Sequence, residues 1–310
     1  MAAAAANDDG NRRQPATGEG ADGEYQEAWN DLIQRLCISC RKPAMQSANE
    51  IRSSLVTFPL FDLSGRRALV TGSSQGIGRA LAVGLAEHGA SIIINGRNAQ
   101  KAEAAAEDIR RSHRHAVSAA FDVTDAEASR TAIDYIEAEI GPIDILVNNA
   151  GMQFRAPLEN FPVDKWDEIF KTNVSSLFYV SQPVAQAMIA RGRGKIINIA
   201  SVQAELARPG IAPYTATKGA VKNLTRGMAT DWAKYGLQIN AIAPGYFRTP
   251  LNQALVDDPK FSGWLENRTP AGRWGEVKEL VGAAVFLASD ASSFVNGHML
   301  TVDGGITASL

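Results

Sequence analysis

The chain has 310 residues, of which 45% are hydrophobic and 21% charged, with a formal net charge of −2. That balance excludes a basic nucleic-acid binder or a protein drawn to anionic membranes by charge, and no apolar run approaches the length of a membrane span. A chain of this size builds a core without staples, as one large domain or two small ones.

Residues 1–57 differ in composition from the rest of the chain. An alanine run leads into Asn, Asp, Gly, Gln, Pro and Glu, a mixture that buries little. Asp8, Asp9, Glu19, Asp22, Glu24 and Glu27 argue against a transit peptide, and no basic-then-apolar signal is present. The expectation is a poorly ordered extension, with Met45 a later candidate start. Within it, Tyr25, Trp29, Leu32, Ile33 and Leu36 recur at helical spacing and predict a short amphipathic helix. Cys37 and Cys40 are the only cysteines. No other ligands are spaced to complete a zinc site, and the tail lacks the βαβ context of a redox pair. No metal site is expected, and the lack of a disulfide framework suits a reducing cytoplasm.

From residue 58 onward, strand and helix patterns alternate. Strands are predicted at 67–71, 91–95, 117–121, 143–147, 195–200, 238–242 and 299–302. Helices are predicted at 76–88, 99–112, 125–140, 164–190, 213–235 and 276–288. Apolar strands between helices imply a parallel sheet covered on both faces. The expected fold is α/β: a doubly wound, seven-stranded Rossmann-type sheet in one domain, 58–310. The stretch 250–272 is expected to form a small helical lid packed by Trp264 and Trp274.

The first strand runs into Thr71-Gly-Ser-Ser-Gln-Gly-Ile-Gly78. Gly72 allows a tight turn, Gly76 lets the backbone approach a ligand, and Gly78 lets the helix pack close to its strand. Free N–H groups at the helix start attract a pyrophosphate. Ser74 and Ile77 belong to the same turn and are candidate cofactor contacts with the three glycines. At the end of the second strand, an acidic residue would bind a ribose 2′-hydroxyl. This chain has Asn95-Gly-Arg97-Asn98 instead. Arg97 offers a guanidinium to a 2′-phosphate, so the expected cofactor is NADP(H) rather than NAD(H).

In the helix at 213–235, Tyr214 and Lys218 are four apart and share a face. A free tyrosine, with a pKa near ~10, is a poor acid or base at neutral pH. A cation beside it favours the phenolate, which makes the pair a candidate proton donor and acceptor for an alcohol or ketone.

With TGSSQGIG, Asn148-Asn-Ala-Gly151, Asn173, Ser201, Tyr214-x-x-x-Lys218 and Pro244-Gly-Tyr-Phe-Arg-Thr249 in this order, the chain resembles the short-chain dehydrogenase/reductase family from Phe58 to its end. Longer stretches, such as INAIAPGYFRTP and APYTATKGAVKNLTRGMA, resemble members that interconvert D-gluconate and 5-keto-D-gluconate. Ala200 and Thr217 stand where the family often has serine, and neither change removes a catalytic group. The resemblance implies an oxidoreductase with Asn173, Ser201, Tyr214 and Lys218 as catalytic residues. Tyr214 would exchange the proton, and Lys218 would lower its pKa and bond the nicotinamide ribose. Ser201 would orient the substrate oxygen, and Asn173 would hold a water in a proton relay. Asp122 and Val123 would touch the adenine, Asn149 the adenosine ribose or nearby backbone, and Thr249 the carboxamide or phosphates. Asn148 is either structural or part of that contact.

A sugar-acid substrate needs a cation and polar groups. Gln153 and Arg155, Glu205 and Arg208, and Tyr246 all fall in loops near strand ends, and Arg155 is the choice for the carboxylate. A 3-oxoacyl-carrier-protein reductase uses the same fold and tetrad. The intact tetrad argues against a non-enzymatic NADP sensor. Family members are usually homotetramers, built through the helices around Asn173 and Tyr214 and the last strand.

Overall fold

A computed structural model describes residues 59–310. The N-terminal extension, its amphipathic helix, Cys37, Cys40 and Met45 lie outside the described residues. Seven parallel strands form one sheet in the order β3-β2-β1-β4-β5-β6-β7. They are β1 (Arg67–Val70), β2 (Ser91–Gly96), β3 (Ala116–Ala120), β4 (Ile145–Asn148), β5 (Gly194–Ile199), β6 (Leu237–Pro244) and β7 (Met299–Val302). The doubly wound expectation holds, with strand boundaries shifted by at most two residues.

Residues two apart on a strand face the same way, and this splits the core in two. Val70, Ile92, Ile94, Ile145, Val147 and Ile197 face one side. There they meet α1 (Gly76–Glu87), α2 (Ala99–Arg111) and α9 (Val281–Ala288) through residues such as Leu81, Ile109 and Val285. Leu69, Ile93, Leu146, Ile196 and Ile239 face the other side. Their partners come from α3 (Ala126–Tyr135), α5 (Ser176–Arg191) and α6 (Ala212–Trp232), including Ile133, Val180 and Val221. Because both faces are covered, β4 and β5 are buried along their whole length.

The long helix expected at 164–190 is interrupted. It consists of α4 (Val163–Phe170), a π turn (Lys171–Ser175) and α5. A π turn carries one extra residue and re-aims side chains, often at functional sites. Here it holds Asn173, which is buried. A second π turn, Ile136–Ile140, ends α3, and a 3₁₀ turn, Val277–Leu280, precedes α9.

The stretch at 250–272 is helical as expected: a 3₁₀ turn (Pro250–Asn252), α7 (Gln253–Val256) and α8 (Pro259–Arg268). Asp258 caps α8 by accepting from the N–H groups of Lys260 and Phe261, with Pro259 in the first turn, where its missing N–H costs nothing. Trp274 is buried, and its Nε1 donates to Ser262 Oγ at 3.1 Å. Trp264 departs from expectation: it is 48% exposed and meets the rings of Tyr246 and Phe261 at the surface. Trp274 carries the packing because it lies beneath the segment, next to Leu265 and Ile306.

The strand order reverses between β1 and β4. In such sheets the crevice beyond the carboxyl ends at that point is where ligands bind.

Candidate active site

A cavity of about 610 Å³ opens at this crevice. Gly72, Ser74, Gly76, Ile77, Arg97, Asp122, Val123 and Asn149 line one end. Gln153, Ser201, Tyr214, Lys218 and Thr249 line the rest, together with Gln203, Arg208 and Tyr246. Residues that are far apart in the chain, picked out from sequence, thus share one space. Gly78, Asn173, Arg155 and Glu205 do not line it.

The glycine turn has a conformation only glycine adopts easily: φ is +60° at both Gly72 and Gly76. Gly78 is needed for a different neighbour than expected. A Cβ there would lie 2.4 Å from Asn149 Nδ2 and 2.7 Å from the Gly72 carbonyl, so the 148–151 loop and the backbone of the glycine turn itself both demand its smallness. The Asn149 side chain is committed, donating to the carbonyls of Thr71 at 2.9 Å and Gly72 at 3.1 Å. Asn148 is structural: its amide donates to Ser181 Oγ and to Asn198 Oδ1. Asn95 braces the turn from the second strand. Its Oδ1 accepts from Gly72 N–H, and its Nδ2 donates to the carbonyls of Ala119 and Phe121. Arg97 comes next, exposed on the cavity edge. Burial raises the Asp122 carboxyl. The N–H and hydroxyl of Thr124, then the charges of Arg97 and Lys171, outweigh this and leave it below its usual range.

At the other end, Ser201 Oγ accepts from Gln203 N–H at 3.1 Å. Burial pushes the Tyr214 phenol up to about 12; a hydrogen bond with Ser201 draws it back, Tyr246 adds to the rise, and the charge of Arg155 opposes it. Lys218 Nζ lies 5.6 Å from the Tyr214 ring centroid and donates to the Ile199 carbonyl at 2.7 Å. Burial takes its ammonium down to about 8. Ser201 and Arg155 thus pull the phenol down, two groups beyond the Lys218 to which the sequence pointed.

Asn173 braces this end. Its Nδ2 donates to the Met152 carbonyl and to Thr217 Oγ1, and its Oδ1 accepts from Met152 N–H at 2.8 Å. Thr217 Oγ1 in turn donates to the Tyr214 carbonyl at 2.7 Å. Both amide hydrogens of Asn173 are thereby used to tie the loop after β4 to the helix that carries Tyr214.

Arg155 sits on the rim, its Nη2 donating to Gln153 Oε1 at 3.2 Å. Arg208 lines the cavity itself, its guanidinium 5.3 Å from the Phe261 ring centroid. Glu205 pairs with Lys222 of α6. Gln203 was missed from sequence. Its signal was its place two residues after Ser201, which is weak for a residue in an ordinary loop.

A model of the family described as enoyl-(acyl carrier protein) reductase matches residues 72–307. The chain belongs to the short-chain dehydrogenase/reductase family. Gluconate 5-dehydrogenase of Gluconobacter oxydans (strain 621H) is 62% identical over 251 residues, 81% of this chain and 98% of that protein. The 5-keto-D-gluconate 5-reductase of Escherichia coli (strain K12) is 53% identical over 247 residues, 80% of this chain and 97% of that one. The crystal structure of a gluconate 5-dehydrogenase from Burkholderia cenocepacia J2315, in complex with NADP and tartrate, is 60% identical with a TM-score of 0.80. That match covers 81% of this chain and 99% of the solved one.

This short-chain dehydrogenase/reductase keeps a buried amine at its site, and that has a measurable cost. Lys218 titrates at about 8 in the fold, below the ordinary 10.5. Below pH 8 the native state carries the full penalty of the buried ammonium, about 3 kcal/mol. Between those two values the native amine is neutral while the unfolded one is still charged, so the penalty shrinks, and above both it is gone. Lys218→Met is expected to remove that penalty and lose a hydrogen bond worth about 1 kcal/mol. The variant should be more stable than wild type by about 2 kcal/mol at pH 7. Denaturant titrations at pH 7 and pH 10 check it; the advantage should be lost at the higher pH.

Proposed function

We propose that this protein is an NADP(H)-dependent oxidoreductase that interconverts D-gluconate and 5-keto-D-gluconate. The observation that carries the reading is the single cavity joining the glycine turn and Arg97 to Ser201, Tyr214 and Arg208. A dinucleotide fits the first end: backbone turned outward at Gly72 and Gly76, and a guanidinium at the end of β2 for the 2′-phosphate. A hydroxylated acid fits the second, where the cationic Arg208 faces Gln203 and Tyr246. The two relatives named for gluconate and its 5-keto form, and the solved one holding NADP and tartrate, support the choice.

NADPH, when bound, supplies the hydride. The chain's own residues manage the proton and the charge. Tyr214 holds a proton on Oη and releases it to the substrate oxygen in the ketone direction. Ser201 holds that oxygen in place and steadies the charge growing on it. Lys218 stands behind the phenol and steadies the phenolate as the proton leaves. Asn173, through Met152 and Thr217, holds the loop and helix in register, and its Oδ1 borders Gly151 together with Lys218 Nζ, which suits a water held in relay between them. Thr249 and Asn149 line the cavity and are assigned to the cofactor; Arg155 and Gln153 form the rim on the substrate side.

The catalytic domain spans 58–310, with 1–57 as an extension. A homotetramer fits the exposed Val163, Trp166 and Phe178 on α4 and α5, and the open space beside Gly219 and Gly227 of α6. Among the described residues no helix is long and apolar enough to cross a membrane, and we place the enzyme in the cytoplasm, where NADPH is drawn on. The deciding measurement is NADPH oxidation against a panel of keto-sugar acids. Turnover of 5-keto-D-gluconate is expected. Reduction of acetoacetyl thioesters in its place would shift the assignment to a 3-oxoacyl-carrier-protein reductase.

A further inference from the structure

We propose that Gln203 and Arg208 read the far end of the substrate: Arg208 binds the carboxylate, and Gln203 accepts a hydroxyl beside the reacting carbon. This rests on the keto-acid reductase reading above and assigns its specificity to residues other than the tetrad and Arg155.

Gln203 sits in the 3₁₀ turn Val202–Ala204 after β5, and only 6% of its surface is exposed. Its Nε2 reaches Tyr246 Oη at a long 3.4 Å. Its Oε1 is buried and has no hydrogen-bond partner. Arg208 Nε is likewise buried without a partner. Both residues line the cavity that holds Tyr214. Buried polar atoms in folded proteins are nearly all satisfied, so an orphan calls for an explanation. Here there are two, and they are complementary. A glutamine oxygen needs a hydroxyl or amine donor. A guanidinium nitrogen needs an acceptor, best an anion. A polyhydroxy acid offers both on one molecule; an unsubstituted acyl chain offers neither along its length.

Arg155 acts on both the Tyr214 and the Tyr246 phenol. Arg208 acts on Tyr246 and not on Tyr214, and it alone of the two lines the cavity. In a 5-keto acid the carboxylate is four carbons from the ketone, so it belongs at the cavity-lining cation that leaves the Tyr214 phenol alone. Gln203 is anchored beside Ser201 by its backbone N–H, and its side chain reaches Tyr246. Its unpartnered side-chain oxygen, in the same cavity, is assigned the hydroxyl next to the ketone. Phe261 of α8 lies under the Arg208 guanidinium. The helical segment at 250–272 thereby holds the carboxylate-binding cation flat in place.

The test uses full-length enzyme as wild type, Arg208→Gln, Arg208→Lys and Gln203→Leu. NADPH-driven reduction of 5-keto-D-gluconate gives kcat and KM. Calorimetric titration of D-gluconate into the NADPH-loaded enzyme, an unreactive pairing, gives Kd. Arg208→Gln should raise both KM and Kd about 10²-fold with kcat within a few-fold, and Arg208→Lys should recover part of the loss. Gln203→Leu should narrow the preference for 5-keto-D-gluconate over 5-oxohexanoate, its analogue without hydroxyls, by about tenfold, because a site built to bond a hydroxyl rejects the molecule lacking it. An active wild type whose Arg208→Gln form keeps KM and Kd within twofold overturns the Arg208 assignment alone. An unchanged preference in Gln203→Leu does the same for Gln203. A wild type that neither reduces 5-keto-D-gluconate nor binds gluconate overturns the functional reading and this inference together.

Discussion

Tyr214→Phe should lower kcat for 5-keto-D-gluconate reduction about 10³-fold, within the usual range for loss of a positioned proton donor, while NADPH still binds. The substitution deletes one oxygen and keeps the ring, so the packing of α6 is little disturbed. What is lost is the atom that holds the proton. Ser201 cannot replace it, because an aliphatic hydroxyl is a much weaker acid than a phenol and its O–H is needed to hold the substrate oxygen. The pH dependence separates this role from a merely structural one. Burial pushes the phenol up to about 12, so the protonated form dominates through the neutral range. Ketone reduction, which needs the proton, should be flat with pH there. Alcohol oxidation needs the proton gone and should climb as pH rises. That climb should vanish in Tyr214→Phe. A variant that keeps a tenth of wild-type kcat would remove Tyr214 from the chemistry.

How much of this could be read from the chain depends on where the information lies. The seven strands were legible because apolar runs bounded by helices have few other uses. The glycine turn was legible because positive φ restricts the choice of residue at Gly72 and Gly76. Tyr214 and Lys218 were legible as a helical pair, but their electrostatics were not. Spacing says that two groups share a face; it does not say that Lys218 spends a bond on the Ile199 carbonyl or that burial outweighs neighbouring charge. Asn173 could be singled out as an asparagine in a helix. Its brace to Met152 and Thr217 depends on a π turn, which tertiary packing selects and local sequence does not announce. Arg155 and Arg208 were indistinguishable as loop arginines. Only the folded chain puts one on the rim and the other in the cavity.

Arg97→Ala should lower kcat/KM for NADPH about 10²-fold and leave NADH within a few-fold of wild type. A charge-assisted bond to a phosphate contributes about 3 kcal/mol when well placed, and each 1.4 kcal/mol is about tenfold. Asn95 cannot substitute, since its side-chain oxygen and nitrogen are both committed to the backbone of the turn and of the third strand. Asp122 cannot serve as the acidic ribose ligand of an NAD enzyme from the end of β2, because it comes after β3 and its carboxylate is held by Thr124. The β2 end therefore repels nothing that carries an extra phosphate and offers a guanidinium to it. Arg97 is exposed, so the attraction is screened. KM for NADPH should rise with ionic strength in wild type and become nearly insensitive to it in Arg97→Ala, while KM for NADH should stay flat in both. Equal kcat/KM for NADPH and NADH in the wild type, or an Arg97→Ala enzyme with an unchanged NADPH preference, would place the 2′-phosphate contact elsewhere. Ser74 would then be the next residue to test, because its Oγ lies 3.5 Å from where a Cβ on Gly96 would stand, on the same edge of the cavity.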